Sequence, residues 1–320
     1  MLALAVCARG AVDVKGIDVS HYQGSINWTS VKNGGYKFAF MKATQGNTYV
    51  DPTFATNING ATAQGVYVGP YHFCDLGTDS TNAQDPVNEA NHFLDVIKPY
   101  YKSGQYLPPV ADVEGFPSFS STAEAKAFTS AWVQVFSDTI YNSLGVRPIV
   151  YSSTSKANSY YTPAIMNTHE LWQARWKGTG TTAPPPASDT AGWGIWQFWQ
   201  WSDGSDAIAL ADPVPGISAQ CDRDVFYGTL DQLKALRFGK DISKAGDFNR
   251  DGVVNEADYN VWVANNGKTV PIYSGADATG DAKVTSADLA VYLAAIPEPG
   301  SLMLVLIGLL VGALDTRRGR

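Results

Sequence analysis

Cysteine is scarce. Cys7, Cys74 and Cys221 are the three in 320 residues, and no two form a C-x-x-C pair. A disulfide framework, a zinc ribbon and a thioredoxin-type redox site are therefore excluded. Cys74 and Cys221 either pair in an oxidising compartment or stay as two buried thiols. Histidine is thin too: His21, His72, His92 and His169 are dispersed, with no H-E-x-x-H. A zinc-peptidase site is excluded, and the absence of G-x-S-x-G removes the serine-hydrolase elbow. Charged residues make up only 17% and the net charge is -7. With no basic surplus, no nucleic-acid partner is expected. The C-terminal uncharged run, 301–314, has 14 residues, short of the ~20 that a spanning helix needs.

Aromatic residues are abundant: 9 Trp, 16 Tyr and 13 Phe. That content excludes intrinsic disorder. It suits a sugar site, where C–H faces of the ligand stack on rings. The length fits about two domains. Candidate strands fall at 16–20, 38–44, 66–73, 110–114, 148–152, 171–176, 195–199 and 220–225. Helical patterns lie between several of them, clearest at 123–144, where Phe128, Trp132, Val135, Phe136 and Ile140 share one face. A shorter one covers 88–97. Eight strands with intervening helices predict an α/β class fold, an irregular TIM-like barrel. The Gly-, Pro- and Ser-rich stretch 178–215 makes its second half the irregular part.

Four acids stand at the ends of candidate strands: Asp18, Asp112, Glu114 and Asp222. Residues i and i+2 of a strand share a side, so Asp112 and Glu114 project together. Barrel strands end on one common face, where such folds place catalytic groups. Converging carboxylates raise one another's pKa, so one stays protonated while another is ionised. Cleavage of a glycosidic bond needs that division: one acid protonates the leaving oxygen and one carboxylate steadies the positive anomeric carbon. A longer D-x-x-D-x-D-x-E run of the chitinase kind is absent.

Beyond residue 246 two related segments recur 30 residues apart, 247–258 and 277–288, each leading into an apolar helical pattern. Seven acids and three bases lie between Ala245 and Ile296, so this part carries -4 of the net charge. Calcium takes six to eight oxygens from positions 1, 3, 5, 7, 9 and 12 of such a loop. The first loop offers Asp247, Asn249, Asp251, the Val253 carbonyl, Asn255 and Asp258; the second offers Asp277, Thr279, Asp281 and Asp288. The competing reading is two acidic turns capping helices.

Residues 16–228 resemble the glycoside hydrolase family 25 muramidases, the Chalaropsis-type lysozymes. The likeness rests on Gly16-Ile-Asp-Val-Ser-His-Tyr-Gln-Gly24 with Trp28, Phe40-Met-Lys-Ala-Thr-Gln-Gly46, Gly69-Pro-Tyr-His-Phe73, Asp112-Val-Glu114, Pro148-Ile-Val-Tyr151, Leu171-Trp-Gln-Ala-Arg-Trp176, Trp196-Gln-Phe198 and the run from Asp222 to Gly228. The resemblance implies hydrolysis of the β-1,4 bond between N-acetylmuramic acid and N-acetylglucosamine in peptidoglycan, without a cofactor. It makes Glu114 the general acid and Asp112 the carboxylate that steadies the acetamido group or the cation. Asp18 and Asp222 become flanking acids, and Tyr71, His72, Trp172, Gln173 and Gln197 line the sugar cleft. Asp224 departs from the pattern, since the family commonly has Asn there. A non-catalytic glycan-binding or adhesion module is the alternative, and the complete set of acids favours the enzyme.

The paired loops resemble a type I dockerin, which implies structural Ca2+ and a cohesin-type protein partner. Pro297-Glu298-Pro299, the apolar run and the arginines at 317, 318 and 320 resemble a PEP-CTERM sorting signal, which implies export and contact with sorting machinery at the membrane. Residues 1–8 are apolar and small without a basic start; they read as the remnant of an export signal or a disordered terminus. The expected layout is thus 1–13 export remnant, 14–236 barrel, 237–246 linker, 247–295 calcium-binding repeats and 296–320 sorting signal. Chelation of calcium is expected to unfold the region near 247–290 and leave lysis of cell walls by the barrel largely intact. Circular dichroism alongside a turbidity assay checks this, and equal loss of lysis and helix would contradict it.

Overall fold

A computed structural model divides the chain into two units, Met1–Ile242 and Ser243–Arg320. It describes residues 14–77, 85–100, 106–176, 191–193, 197–226 and 228–236 of the first, and 246, 248, 254–269, 276–279 and 283–296 of the second. The proposed export remnant and sorting signal, Cys7, and the loop positions Asp247, Asn249, Asp251, Val253 and Asp281 lie outside the described residues.

The first unit is a mixed α/β fold around an eight-stranded barrel. Its strands are β1 (Val14–Val19), β2 (Phe38–Gln45), β3 (Tyr49–Val50), β4 (Tyr67–Asp75), β5 (Val110–Gly115), β6 (Ile149–Ser153), β7 (Leu171–Ala174), β8 (Phe198–Ser202) and β9 (Asp222–Phe226). They run in the order β1-β9-β8-β7-β6-β5-β4-β2, and a β1–β2 pairing closes the ring; β3 only extends β2 outside it. Adjacent barrel strands are parallel except at β9, which runs antiparallel to both β8 and β1. Between β8 and β9 the described chain holds one five-residue helix, Ala207–Ala211.

Inward-facing residues alternate along the strands and stack in layers. Phe38, Phe40, Trp172, Phe198 and Phe226 fill the lower barrel. Phe40 packs on Trp172 with ring centroids 4.4 Å apart, and on Phe198 at 4.9 Å. Gly16 leaves room for these rings: a Cβ there would sit 2.2 Å from Phe38 Cζ. The outward-facing set includes Ile17, Val19, Ala39, Met41, Ala111, Val113 and Val150 and packs under the helices. The longest helix, Thr122–Leu144, starts on Ser121, whose side chain accepts from Glu124 N, and stops at Gly145 in the left-handed conformation at φ 69°. It begins one residue before the expected 123–144. The helix expected at 88–97 starts earlier, at Asp85.

Several strand bounds and one strand direction differ from expectation. β8 lies three residues later than 195–199, because the buried alternation runs on through Gln200 to Ser202. β7 ends at Ala174, where its pairing with β8 ends. Asp222 does not end a strand but opens one. Because β9 is antiparallel, its start reaches the same face as the carboxyl ends of the parallel strands.

In the second unit, helices Glu256–Asn265 and Ser286–Ala295 each begin with a capping box, Asn255 with Asp258 and Thr285 with Asp288. Trp262 Nε1 donates to the Thr285 carbonyl at 2.8 Å, and Tyr292 OH donates to the Asn255 carbonyl at 3.1 Å. Each helix thus reaches the cap of the other. Among the described residues, no helix is long and apolar enough to cross a membrane.

Gly16→Ala tests the layering. The new methyl meets a ring already clamped by Phe40 and Phe198, and overpacking of this kind costs about 1–3 kcal/mol. Thermal unfolding should show a lower Tm; an unchanged Tm would mean that the rings repack freely.

Candidate active site

The top layer of the barrel is polar. Asp18 from β1, Lys42 from β2, Tyr71 from β4, Asp112 and Glu114 from β5, Tyr151 from β6, Gln200 from β8 and Asp222 with Asp224 from β9 meet at one end. Asp18, Asp112, Asp224 and Lys42 are buried, whereas Glu114 is exposed at the mouth. Asp18 stands directly opposite Asp222 in the β1–β9 register. All four expected acids therefore converge, and Asp224 joins them.

Their electrostatics follow from crowding. Burial pushes Asp112 well up, and the neighbouring Glu114 pushes it further, while the Lys42 ammonium pulls it back. Glu114, although exposed at the mouth, is raised by desolvation from the surrounding walls, again against Lys42. The two acids titrate as a pair that retains a proton above the usual carboxylate range. Asp112 Oδ1 is buried without a hydrogen-bond partner, which adds to the cost of charging it. Burial, then the charge of Asp224, holds Asp18 well up. Asp222 is pushed up to about 10 by burial, by Asp18 and by Asp203 and Glu114 beyond it.

Neutral side chains fix these acids in place. Gln200 Oε1 accepts from Tyr151 OH at 2.9 Å and from Trp176 Nε1 at 2.7 Å. Its amide nitrogen is thereby turned toward Asp18 Oδ2, to which it donates at 2.8 Å. Lys42 Nζ donates to Gln45 Oε1 at 2.6 Å and lies 4.9 Å from the centre of the Phe73 ring. At the rim, His21 meets Asp51 through Nδ1 at 3.0 Å and packs on the exposed Tyr22.

The expected sugar-lining residues divide. Tyr71 faces the acids; burial and the charges of Asp18 and Asp112 raise its hydroxyl well up. Trp172 is buried below the acids and donates from Nε1 to Asp224 Oδ1 at 2.9 Å, so it supports the floor instead of touching solvent. Three expectations need correction. His72 alternates with Tyr71 and points out of the barrel, where it is fully buried against Phe93 and Phe136. Its Nε2 pairs with Glu89 at 2.8 Å; burial pushes His72 down to about 3 and Glu89 up to about 9, so the pair is uncharged. Gln173 likewise alternates with Trp172 and bonds Thr154 Oγ1 at 2.8 Å on the outer side. Gln197 precedes β8 at the end far from the acids, its N–H on the Leu171 carbonyl. The glutamine at the mouth is Gln200, three residues on. Lys42, Tyr151 and Gln200 were not singled out by sequence reasoning, although Lys42 and Tyr151 lie within the quoted family stretches. Cys74 and Cys221 are both free and buried.

The loop residues of the second unit that are described behave as caps and clamps. Asp288 is buried and accepts from the backbone of Ala278, Thr279 and Thr285. Burial pushes it up, but these bonds outweigh burial and hold it below the usual range. Thr279 Oγ1 lies 3.0 Å from Asp288 Oδ1 and 3.4 Å from Asp277 Oδ1.

A barrel mouth that sets a proton-retaining carboxyl pair beside aromatic and amide side chains is the arrangement of a glycoside hydrolase. The model of glycosyl hydrolases family 25 matches residues 17–208, and the chain belongs to that family. It is 32% identical over 231 residues to Lysozyme M1 of Streptomyces globisporus, covering 70% of this chain and 71% of that one. It is 31% identical to the N,O-diacetylmuramidase of Chalaropsis sp, covering 71% of this chain and all of that one. The bacterial lysozyme from Streptomyces coelicolor has a similar fold, with TM-score 0.58 and 32% identity, over 70% of this chain and 96% of that one.

Asp222 supplies a stability test. Its folded pKa near 10 lies above the ordinary ~3.9 of aspartate. Stability from this retained proton is full below about pH 4 and is lost as pH rises toward 10. Asp222→Asn has no proton to lose. The Tm of the variant relative to wild type should therefore climb steadily between about pH 4 and pH 9; parallel Tm–pH curves would contradict the assignment.

Proposed function

We propose that this protein is a lysozyme that hydrolyses the β-1,4 bond between N-acetylmuramic acid and N-acetylglucosamine in peptidoglycan. The observation that carries this reading is the Asp112–Glu114 pair: one acid buried beside Lys42, the other exposed where a glycosidic oxygen can reach it. In the free enzyme the pair holds one proton between two carboxyls. A docked glycan strips water from Glu114, which favours its neutral form. The proton then stands on Glu114, ready for the leaving oxygen. Asp112, left ionised near Lys42, steadies the acetamido group or the positive charge growing at the anomeric carbon. Asp18 and Asp222 orient the cluster and set its charge. Tyr71 flanks the reacting sugar, Gln200 holds Asp18 in place beside it, and no cofactor takes part.

The second unit fits a structural calcium role. Asp277, Thr279 and Asp288 offer only oxygen, the donor type that a hard cation requires, and their side-chain oxygens lie within a few ångströms of one another. Bound calcium would supply charge neutralisation for these buried acids. A cohesin-type partner for the two helices, and export to the cell envelope or exterior with transient retention through the C-terminal segment, complete the reading on the strength of the sequence patterns alone.

Glu114→Gln tests the assignment. The variant should keep the wild-type circular dichroism and Tm and lose clearing of a cell-wall suspension by about 100-fold or more, the range ascribed to a positioned acid. Full clearing by this variant would remove Glu114 from the role. No clearing by the wild type would return the protein to a glycan-binding function.

A further inference from the structure

His72, Cys74 and Glu89 form a cluster on the outer side of the barrel that the catalytic reading does not use. His72 and Cys74 are two apart on β4, so both turn to the face opposite Tyr71. Glu89 comes from the helix Asp85–Ile97. All three are 0% exposed. One His72 nitrogen, the Cys74 sulfur and one Glu89 oxygen all lie within 4.8 Å of one another. Nε2 is the nitrogen that meets Glu89, 2.8 Å from Oε2.

The acids of this cluster lack a cationic partner. Asp85 and Asp75 both work against a charge on Glu89. The described Lys and Arg ion pairs are Arg147–Asp138 and Lys234–Asp231, so none reaches these acids. Lys42 and His92 are felt at His72, but they bond the Gln45 side chain and the Tyr49 carbonyl. Glu89 Oε2 accepts from the Asp75 N–H at 3.0 Å, whereas Oε1 is buried with no hydrogen-bond donor among the described residues. A buried acceptor without a donor carries the full desolvation cost of the group. The Cys74 thiol has only a long contact, 3.7 Å, to the His72 carbonyl.

We propose that His72, Cys74 and Glu89 hold a structural zinc-type cation, with His72 Nε2, Cys74 Sγ and both Glu89 oxygens supplying four donors between β4 and the helix Asp85–Ile97. Thiolate, imidazole and carboxylate are donor types that zinc takes, and four protein donors make a closed structural site. Zinc bonds of about 2.0–2.3 Å ask the three side chains to draw together on binding. His72 Nδ1 lies 2.7 Å from Thr44 Oγ1. Donation there fixes the tautomer that leaves Nε2 free, the usual outer support of a ligating histidine. On binding, the Cys74 thiol and the Glu89 carboxyl each release a proton to solvent. One thiolate and one carboxylate then balance the divalent charge, so the buried site is neutral. The cation ties the helix to the strand that carries Tyr71 and takes no part in the chemistry.

The test uses the full chain, produced in cells grown with Co2+ in place of zinc and dialysed against excess Ca2+ to refill oxygen-only sites. Cobalt bound through a thiolate gives a near-ultraviolet charge-transfer band that oxygen ligands do not give. Wild type and Cys221→Ser should keep about one cobalt per chain and show the band. Cys74→Ala should keep at least about tenfold less cobalt and lack the band; Cys74→Ser, nearly the same size, serves if the alanine variant fails to fold. Zinc-loaded wild type should also melt at higher temperature than the same protein stripped by a chelator and returned to calcium, with no such gap in the Cys74 variant. Wild type that is folded by circular dichroism but shows no thiolate band would overturn the proposal. So would a band of equal strength in the Cys74 variant, which would move the metal to another cysteine. None of these readouts needs cell-wall lysis, so failure here leaves the Glu114 assignment untouched.

Discussion

The structure depends on the packing of carboxyl groups against one another at one end of a closed barrel. A barrel of eight strands is just wide enough to be filled by side chains. In this chain the lower layers are filled by Phe38, Phe40, Trp172, Phe198, Phe226 and aliphatic side chains. The acids can gather only above them. Parallel strands deliver Asp18, Asp112 and Glu114 to that end because their carboxyl ends point there. The antiparallel β9 delivers Asp222 from its beginning, directly across from Asp18, and Asp224 two residues on, across from Gly16. Closure of the ring and crowding of the acids are the same event.

Crowding decides the protonation pattern. Lys42 is the buried cation among five carboxyls, and burial lowers its own hold on a proton, offset only in part by Asp112, Asp51 and Glu114. One ammonium cannot compensate five charges in a site with little water. The acids therefore keep protons that they would lose in solution. One such proton, on the pair at the mouth, is available for chemistry. On the β1–β9 side the acids are held up by burial and by one another, against Gln200 and Trp172, which orient them by donating to Asp18 Oδ2 and Asp224 Oδ1.

Much of this was legible in the sequence, and the gaps have physical reasons. Asp112 and Glu114 were readable because period two is the same in every strand. Convergence of the four acids was readable because barrel strands share a face. Strand direction is not written in a period-two pattern, so the reversal of β9 was invisible and Asp222 was taken for the end of a strand. The same period explains the misplaced cleft residues. His72 and Gln173 are neighbours of Tyr71 and Trp172 in sequence, but the pleat turns them to the helix side. The resemblance at Trp196-Gln-Phe198 pointed to Gln197, whereas Gln200 of the same aromatic run is the glutamine that reaches the acids. Lys42 sat in an otherwise apolar strand, and only the structure reveals which acids surround it. In the second unit the capping boxes at Asn255 and Thr285 satisfied both readings of the acidic repeats, because a carboxylate that caps a helix and one that holds a cation occupy the same position.

The central claim is that the proton shared by Asp112 and Glu114 is spent on one glycosidic linkage. The direct measurement is reductive labelling of the new ends in glycan fragments released from purified peptidoglycan by the wild-type full chain, followed by mass analysis. The account predicts the label on muramic acid, with glucosamine at the opposite end of each fragment. Label on glucosamine, or release of peptides without new reducing ends, would contradict it.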